Sequence, residues 1–181
     1  MQAGISTLGI TFGYGVEATA GTKPTSFKQL HRINKLGGIS ISNEKIDASA
    51  LEDFVKRYVQ GIGDTGGEFP VTVNFTPETL KEWEDVLTAH KALTGGKAMW
   101  FETVIPGFEK SFFIVAQPPT AIPQPELDQN NLLTIDMNLT IEDYKGMEEK
   151  VALTGGITGS DDHKSANDQS KNTTDAGTTK P

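Results

Sequence analysis

The sequence predicts a mainly β protein: a β-sandwich or split barrel flanked by one α-helix, in a single domain that ends in a flexible polar tail. Three observations carry this. Apolar and polar residues alternate along 68–75 and 132–142, the two-residue period of a half-buried strand. Only the segment after Thr76 repeats apolar residues at three- and four-residue spacing, as one helix requires. Gly37-Gly38, Gly66-Gly67, Gly95-Gly96 and Pro106-Gly107 punctuate the chain at intervals that suit short strands.

Residues 8–16 (LGITFGYGV) mix β-branched and aromatic residues with glycine and read as a first strand. Residues 28–35 and 39–46 read as two strands of a hairpin turning at Gly37-Gly38, where glycine would supply the positive φ of a tight turn. Ile39 and Ile41 alternate there with Ser40 and Ser42. From 47 to 66 the periodicity is lost, and a segment of about 20 residues with no element of its own is usually functional or mobile. This central loop carries Leu51, Phe54, Val55 and Tyr58, apolar residues that want a partner, so it is expected to reach a neighbouring subunit or ring.

In the next strand Phe69, Val71, Val73 and Phe75 point one way and Glu68, Pro70, Thr72 and Asn74 the other. Pro70 cannot donate a ladder bond, which places it near a strand start or an unpaired edge. Thr76-Pro77-Glu78 then supplies a hydroxyl at the N-cap, proline at the first helical position and an acid in the first turn. Leu80, Trp83, Val86, Leu87, His90 and Leu93 form the apolar face of this helix, and Gly95-Gly96 stops it. Residues 97–105 and 108–116 read as an aromatic-rich hairpin, 117–129 as a loop stiffened by four prolines, and 132–142 as a last strand. Beyond 154 no core-forming pattern remains, which divides the chain into a β domain, 1–154, and a polar tail, 155–181.

With 181 residues, 36% of them apolar, the chain suits one domain with a proper core. No stretch reaches the roughly 20 apolar residues of a membrane helix, and the first residues lack the pattern of a secretory signal. The chain is therefore expected to fold where it is made, and the glycosylation-like triplets at Asn74, Asn138 and Asn172 are discounted. The absence of cysteine rules out disulfides and thiolate metal sites. A net charge of -8 repels nucleic acid as a whole, and Lys28, His31, Arg32 and Lys35 are too few to clamp phosphates.

Gly63-Asp64-Thr65-Gly66-Gly67 differs by one hydroxyl residue from the nucleophile loop of trypsin-like proteases. A hydroxyl needs a histidine base oriented by a carboxylate, and His31, His90 and His163 are not in sequence contexts that provide one. The stretch reads as a small-residue turn. Asp161, Asp162, His163 and Asp168 lie in the tail, where ordering metal ligands is costly. Gly9, Gly13 and Gly15 precede no helix that could hold a phosphate. The paired acids Asp47 with Glu52, and Glu148 with Glu149, lie in solvated segments. No catalytic residue, cofactor or metal is expected, and the remaining physical outline points to assembly.

At the runs GDTGGEFPVTVNFTPETLKEWEDVL, LTGGKAMWFETVIPG and LLTIDMNLTIED the chain resembles the major tail tube proteins of long-tailed, siphovirus-type bacteriophages, in element order across about residues 8–145. That resemblance implies a non-enzymatic virion protein whose six copies close into a ring. The rings stack into the tail tube that conducts genome DNA. It implies assembly in the bacterial cytoplasm, other tail proteins such as the tape measure and terminator as partners, and no membrane. On this reading Glu68, Thr72, Asn74, Thr134, Asp136 and Asn138, joined by Ser40, Ser42 and Glu44, line an acidic lumen past which DNA slides without specific binding. The alternative is a carbohydrate- or peptide-binding β-sandwich module of a phage particle, with Tyr14, Tyr58, Trp100 and Tyr144 as its platform.

Overall fold

The computed structural model describes residue 4 and residues 6–155. Its strands are β1 (Thr11–Val16), β2 (Phe27–Leu30), β3 (Ile33–Leu36), β4 (Ser42–Asp47), β5 (Tyr58–Asp64), β6 (Glu68–Phe69) and β7 (Val71–Asn74), then, after helix α1 (Pro77–Lys91), β8 (Met99–Val104), β9 (Lys110–Gln117), β10 (Thr134–Asp136), β11 (Leu139–Glu149) and β12 (Leu153–Thr154). The chain is mainly β, with α1 the one helix among the described residues. A seven-stranded sheet runs in the order β12-β2-β1-β8-β9-β11-β6, a three-stranded sheet in the order β10-β7-β3, and β4 and β5 form a sheet of their own.

The main core lies between the first two sheets and the helix. Phe12, Phe101, Ile114 and Leu139 come from the large sheet, Val71, Val73 and Ile135 from the small one, and Trp83 and Val86 from α1. Thr76 caps α1 through reciprocal bonds with Thr79, whose backbone N–H donates to the Thr76 hydroxyl while the Thr76 N–H donates to the Thr79 hydroxyl. Thr79 itself is buried, so the helix seats a hydroxyl, satisfied by the Asn74 carbonyl, where the sequence pattern shows only apolar residues.

Three stretches that read as single strands each turn a corner from one sheet into the other. Residues 28–35 bend at Arg32 (φ 56°) from β2 into β3, 68–75 at Pro70 from β6 into β7, and 132–142 at Met137-Asn138 from β10 into β11. Alternation survives the corners because both sheets present a face to the same core: Phe69, Val71 and Val73 are buried in one stretch, and Ile135, Met137 and Leu139 in the other. The hairpin expected at Gly37-Gly38 does not form. β3 pairs with β7 and β4 with β5. Gly37 is required by close approach instead of a turn: its N–H donates to the Pro70 carbonyl at 2.8 Å, and a Cβ there would lie 2.5 Å from the proline ring. The hairpin read at 97–116 is present as β8 and β9.

The opposite face of the large sheet carries a smaller cluster, Phe27, Trp100, Phe113 and Val115, covered by Val151 and Leu153. The segment 150–154 crosses this face as a strap: the Val151 N–H donates to Glu102 Oε1 at 3.0 Å, and the Thr154 hydroxyl donates to the Phe27 carbonyl at 2.9 Å. Two buried acids hold the periphery. Glu17 accepts from Gly21 N–H, Ala98 N–H and Trp100 Nε1. Burial opposes its charge, yet these donors together hold its pKa below the usual carboxylate range. Glu102 is fully buried, and desolvation raises its pKa against the smaller opposing pull of Val151 N–H, Ser111 and Lys23. The tail expected from 155 onward lies, after Gly155, outside the described residues.

Candidate assembly interface

The segment 47–66 is not a structureless loop. Its second half is β5, which pairs antiparallel with β4 in a register that sets Ile46 opposite Val59 and Asp47 opposite Tyr58, with a bulge between Asn43 and Lys45. The sequence hides this strand because Tyr58-Val-Gln-Gly-Ile-Gly-Asp64 is broken by two glycines. Those glycines have a physical use: a Cβ at Gly61 would meet Ile46, and one at Gly63 would meet Ile41 at 3.0 Å. The larger residues of β4 and its approach lie over the glycines of β5. The result is an arm that carries Ile41, Ile46, Val59 and Ile62 exposed.

The tip of the arm is ordered by its own hydrogen bonds. Asp47 accepts from the Ser49 N–H, the Ala50 N–H donates to Asp53, the Arg57 N–H donates to the Ser49 hydroxyl, and the Ala48 N–H donates to the Arg57 carbonyl. Lys56 pairs with Asp47 and Arg57 with Asp53. The Ser49 bonds, then Lys56, lower the Asp47 pKa below the usual carboxylate range. This scaffold holds Leu51 (110% exposed), Phe54 (104%) and Val55 (77%) away from the domain, with Tyr58 at 56% beside them. A two-stranded hairpin with both faces in water is marginal on its own. Grouped apolar side chains in that setting make the tip a candidate contact surface.

An open groove of about 240 Å³ lies at the root of the arm, walled by the β3–β4 connection at Leu36 and Ile39 and by Phe69, Ile105, Phe112 and Tyr144. No charged side chain among the described residues lines it. Sequence reading missed this groove because its walls come from five separated segments, none of which shows a signal alone.

Of the nine residues read as lumen-lining, the structure brings four together on the outer face of the small sheet. Asn74 stands opposite Thr134 and Thr72 opposite Asp136, and the Thr72 hydroxyl donates to Asp136 Oδ1 at 2.6 Å. Asn34 extends this face by donating to Asn74 Oδ1, and Lys35 stands opposite Thr72. The face therefore carries a base as well as an acid. Of the other five, Glu68 pairs opposite Thr140 in the large sheet, Asn138 is exposed at the corner between β10 and β11, Ser42 and Glu44 lie on the arm, and Ser40 is in its approach.

Thr65 sits in the turn between β5 and β6, where Asp64 Oδ1 accepts the Gly66 N–H and Gly66 and Gly67 have φ of 82° and 73°. His31 is engaged elsewhere: Glu82 of α1 takes both its backbone N–H and its ring Nδ1. His90 lies in the last turn of α1, and His163 falls outside the described residues. Among the described residues no three His, Asp or Glu side chains gather to hold a metal. The aromatic platform is not assembled either, since Tyr14 and Trp100 are buried and only Tyr58 of the four is exposed.

No protein-family model and no curated protein sequence matches the chain. Among solved structures, a chain from the "Cryo-EM structure of the anti-feeding prophage (AFP) baseplate, 6-fold symmetrised" is similar at 14% identity and a TM-score of 0.45, over 82% of this chain and 98% of that one.

Proposed function

We propose that this protein is a structural virion protein that polymerises with itself, as stacked six-membered rings, into the tail tube of a long-tailed phage, and that genome DNA passes along the polar face of its small sheet. In such a particle it meets other tail proteins, the tape measure and terminator among them, and it catalyses nothing. The observation that carries self-assembly is the arm, an ordered hairpin whose largest apolar residues are in water. Burying Leu51, Phe54 and Val55 at about 1.5–3 kcal/mol each gives roughly 5–9 kcal/mol per joint. Association costs roughly 4–15 kcal/mol. One joint is therefore marginal, and rings or stacks, in which each subunit is held at several joints, are the stable products.

The small-sheet face suits a conduit because Thr72, Asn74, Thr134 and Asn34 are uncharged and Asp136 is balanced by Lys35. A wall with no net positive charge does not trap phosphates. Electron microscopy of the protein over a concentration series tests the reading. Rings or tubes of uniform diameter are expected at high concentration, and dispersed monomers at every concentration would overturn it.

A further inference from the structure

We propose that the groove at the root of the arm is the receptor for the arm tip of a second copy, so that subunits join head to tail with Phe54 and Leu51 of one copy seated among Leu36, Ile39, Phe69 and Phe112 of the next. This rests on the self-assembly reading and names the surface that reading leaves open. Three features on one chain fit together. The tip presents large apolar side chains at full exposure, and the groove is an apolar volume of about 240 Å³ that no described residue fills. Charge is compatible: the tip's Asp47 and Asp53 are paired with Lys56 and Arg57, the groove lining among the described residues is uncharged, and exposed Glu52, beside Leu51, has to stay in water at the groove mouth. Finally, the arm leaves the domain at Ser42, three residues beyond the groove wall at Ile39, and carries its tip at 77–110% exposure, out of its own groove.

Because tip and groove are different surfaces, the contact is heterologous: every copy offers one of each, and a chain of such contacts either closes into a ring or continues as a filament. Apolar packing in a groove supplies the affinity. The glycines of β5 and the bulge in the same strand, where Gly61 and Ile62 lie opposite Glu44, supply an arm that can be aimed.

The chain contains no cysteine, so paired cysteines report the contact cleanly. Val55→Cys with Thr103→Cys places one thiol beside Phe54 at the tip and one in the groove lining, leaving Leu51 and Phe54 intact. Val55→Cys with Lys81→Cys, on the exposed face of α1, is the comparison. Oxidation at assembling concentrations is expected to give a ladder of dimers, trimers and longer species on a non-reducing gel for the first pair, at least five-fold above the second. Assembly of each reduced double variant, measured beside the wild type, sets the baseline against which its oxidised ladder is read. Assembly without the ladder, or equal ladders, would sink the groove contact while leaving self-assembly standing. No assembly by the wild type sinks both. A Thr103→Cys thiol that is shielded from a small thiol reagent in the monomer means that another part of the same chain fills the groove, and that too overturns the proposal.

Discussion

Replacing Leu51, Phe54 and Val55 together by serine separates assembly from folding. All three side chains are almost wholly in water within one subunit, and they contribute nothing to the core. Surface substitutions of this kind change stability by about ±0.5 kcal/mol. For a domain of this size that is a shift in Tm of roughly 1–2 °C. The hydrogen bonds that order the tip come from Asp47, Ser49, Asp53 and backbone groups, none of which is altered. At the joint, by contrast, the roughly 5–9 kcal/mol of apolar burial is lost, which is a factor of more than about 10³ in each contact. The triple variant should therefore melt with the wild type and sediment as a monomer at concentrations where the wild type forms large species. Differential scanning calorimetry and sedimentation velocity measure the two halves. A variant that still assembles shows that the tip is not the joint; one that loses many degrees of Tm shows that the tip packs on its own domain.

Four further outcomes are expected. Ending the chain at Gly155 keeps the strap and should leave Tm unchanged, whereas ending it at Glu149 removes the burial of Val151 and Leu153 and two hydrogen bonds, roughly 3–6 kcal/mol, and should lower Tm by roughly 6–24 °C in a thermal melt. Because the Glu102 pKa is raised on folding, its contribution is fully present below the free glutamate value of about 4.3 and is lost as pH rises through the folded value; Glu102→Gln should flatten that decline, and a pH series of urea midpoints showing the same slope in both proteins would refute the assignment. Asp136→Lys turns a face with one acid and one base into one with two bases, so its assemblies should bind DNA in a salt-sensitive way in a filter or gel assay where wild-type assemblies do not. Since subunits of charge -8 repel one another and the proposed joint is apolar, raising salt from 0.01 to 1 M, which shortens the screening length from about 30 to about 3 Å, should promote assembly by light scattering; an ionic joint would weaken instead.

How much was legible in the sequence follows from what each signal reports. Period-two alternation reports burial, and at Phe69, Val71, Val73, Ile135, Met137 and Leu139 it placed every residue on the correct side. It is blind to which sheet a residue joins, so the corners at Arg32, Pro70 and Met137-Asn138 passed unseen. Pro70 gave a partial signal through its missing N–H. The helix was legible to its first residue because Thr76-Pro77 is a chemical start signal, while buried Thr79 shows that capping can place a hydroxyl on the inner face. That Leu51, Phe54, Val55 and Tyr58 have no place in the core was legible, and their exposure agrees; the form of the segment was not, because glycine in β5 erases the alternation that marks a strand. The groove had no local signal at all: Leu36, Ile39, Phe69 and Phe112 converge only after the chain has folded.

The free strand edges explain why the arm, among all exposed segments, carries the assembly reading. β11 beyond Ile141 has no partner on its outer side among the described residues, and it would recruit other chains if it were flat and apolar. It is neither: register shifts between Ile141 and Asp143 and between Tyr144 and Gly146 break the ladder, and Glu142, Asp143, Lys145, Glu148 and Glu149 place charge along it. The outer strands of the large sheet, β12 and β6, are two residues each and offer almost no ladder. The two-stranded arm lacks the charge that guards β11 along its second strand. Among the described residues β5 has an open edge; it runs seven residues and exposes Tyr58, Val59 and Ile62, with Asp64 its only charged residue. A chain that blunts its long edge with bulges and charge, while leaving one apolar edge unguarded on a projecting hairpin, has the pattern expected when that hairpin is the joint and the other edges must stay closed.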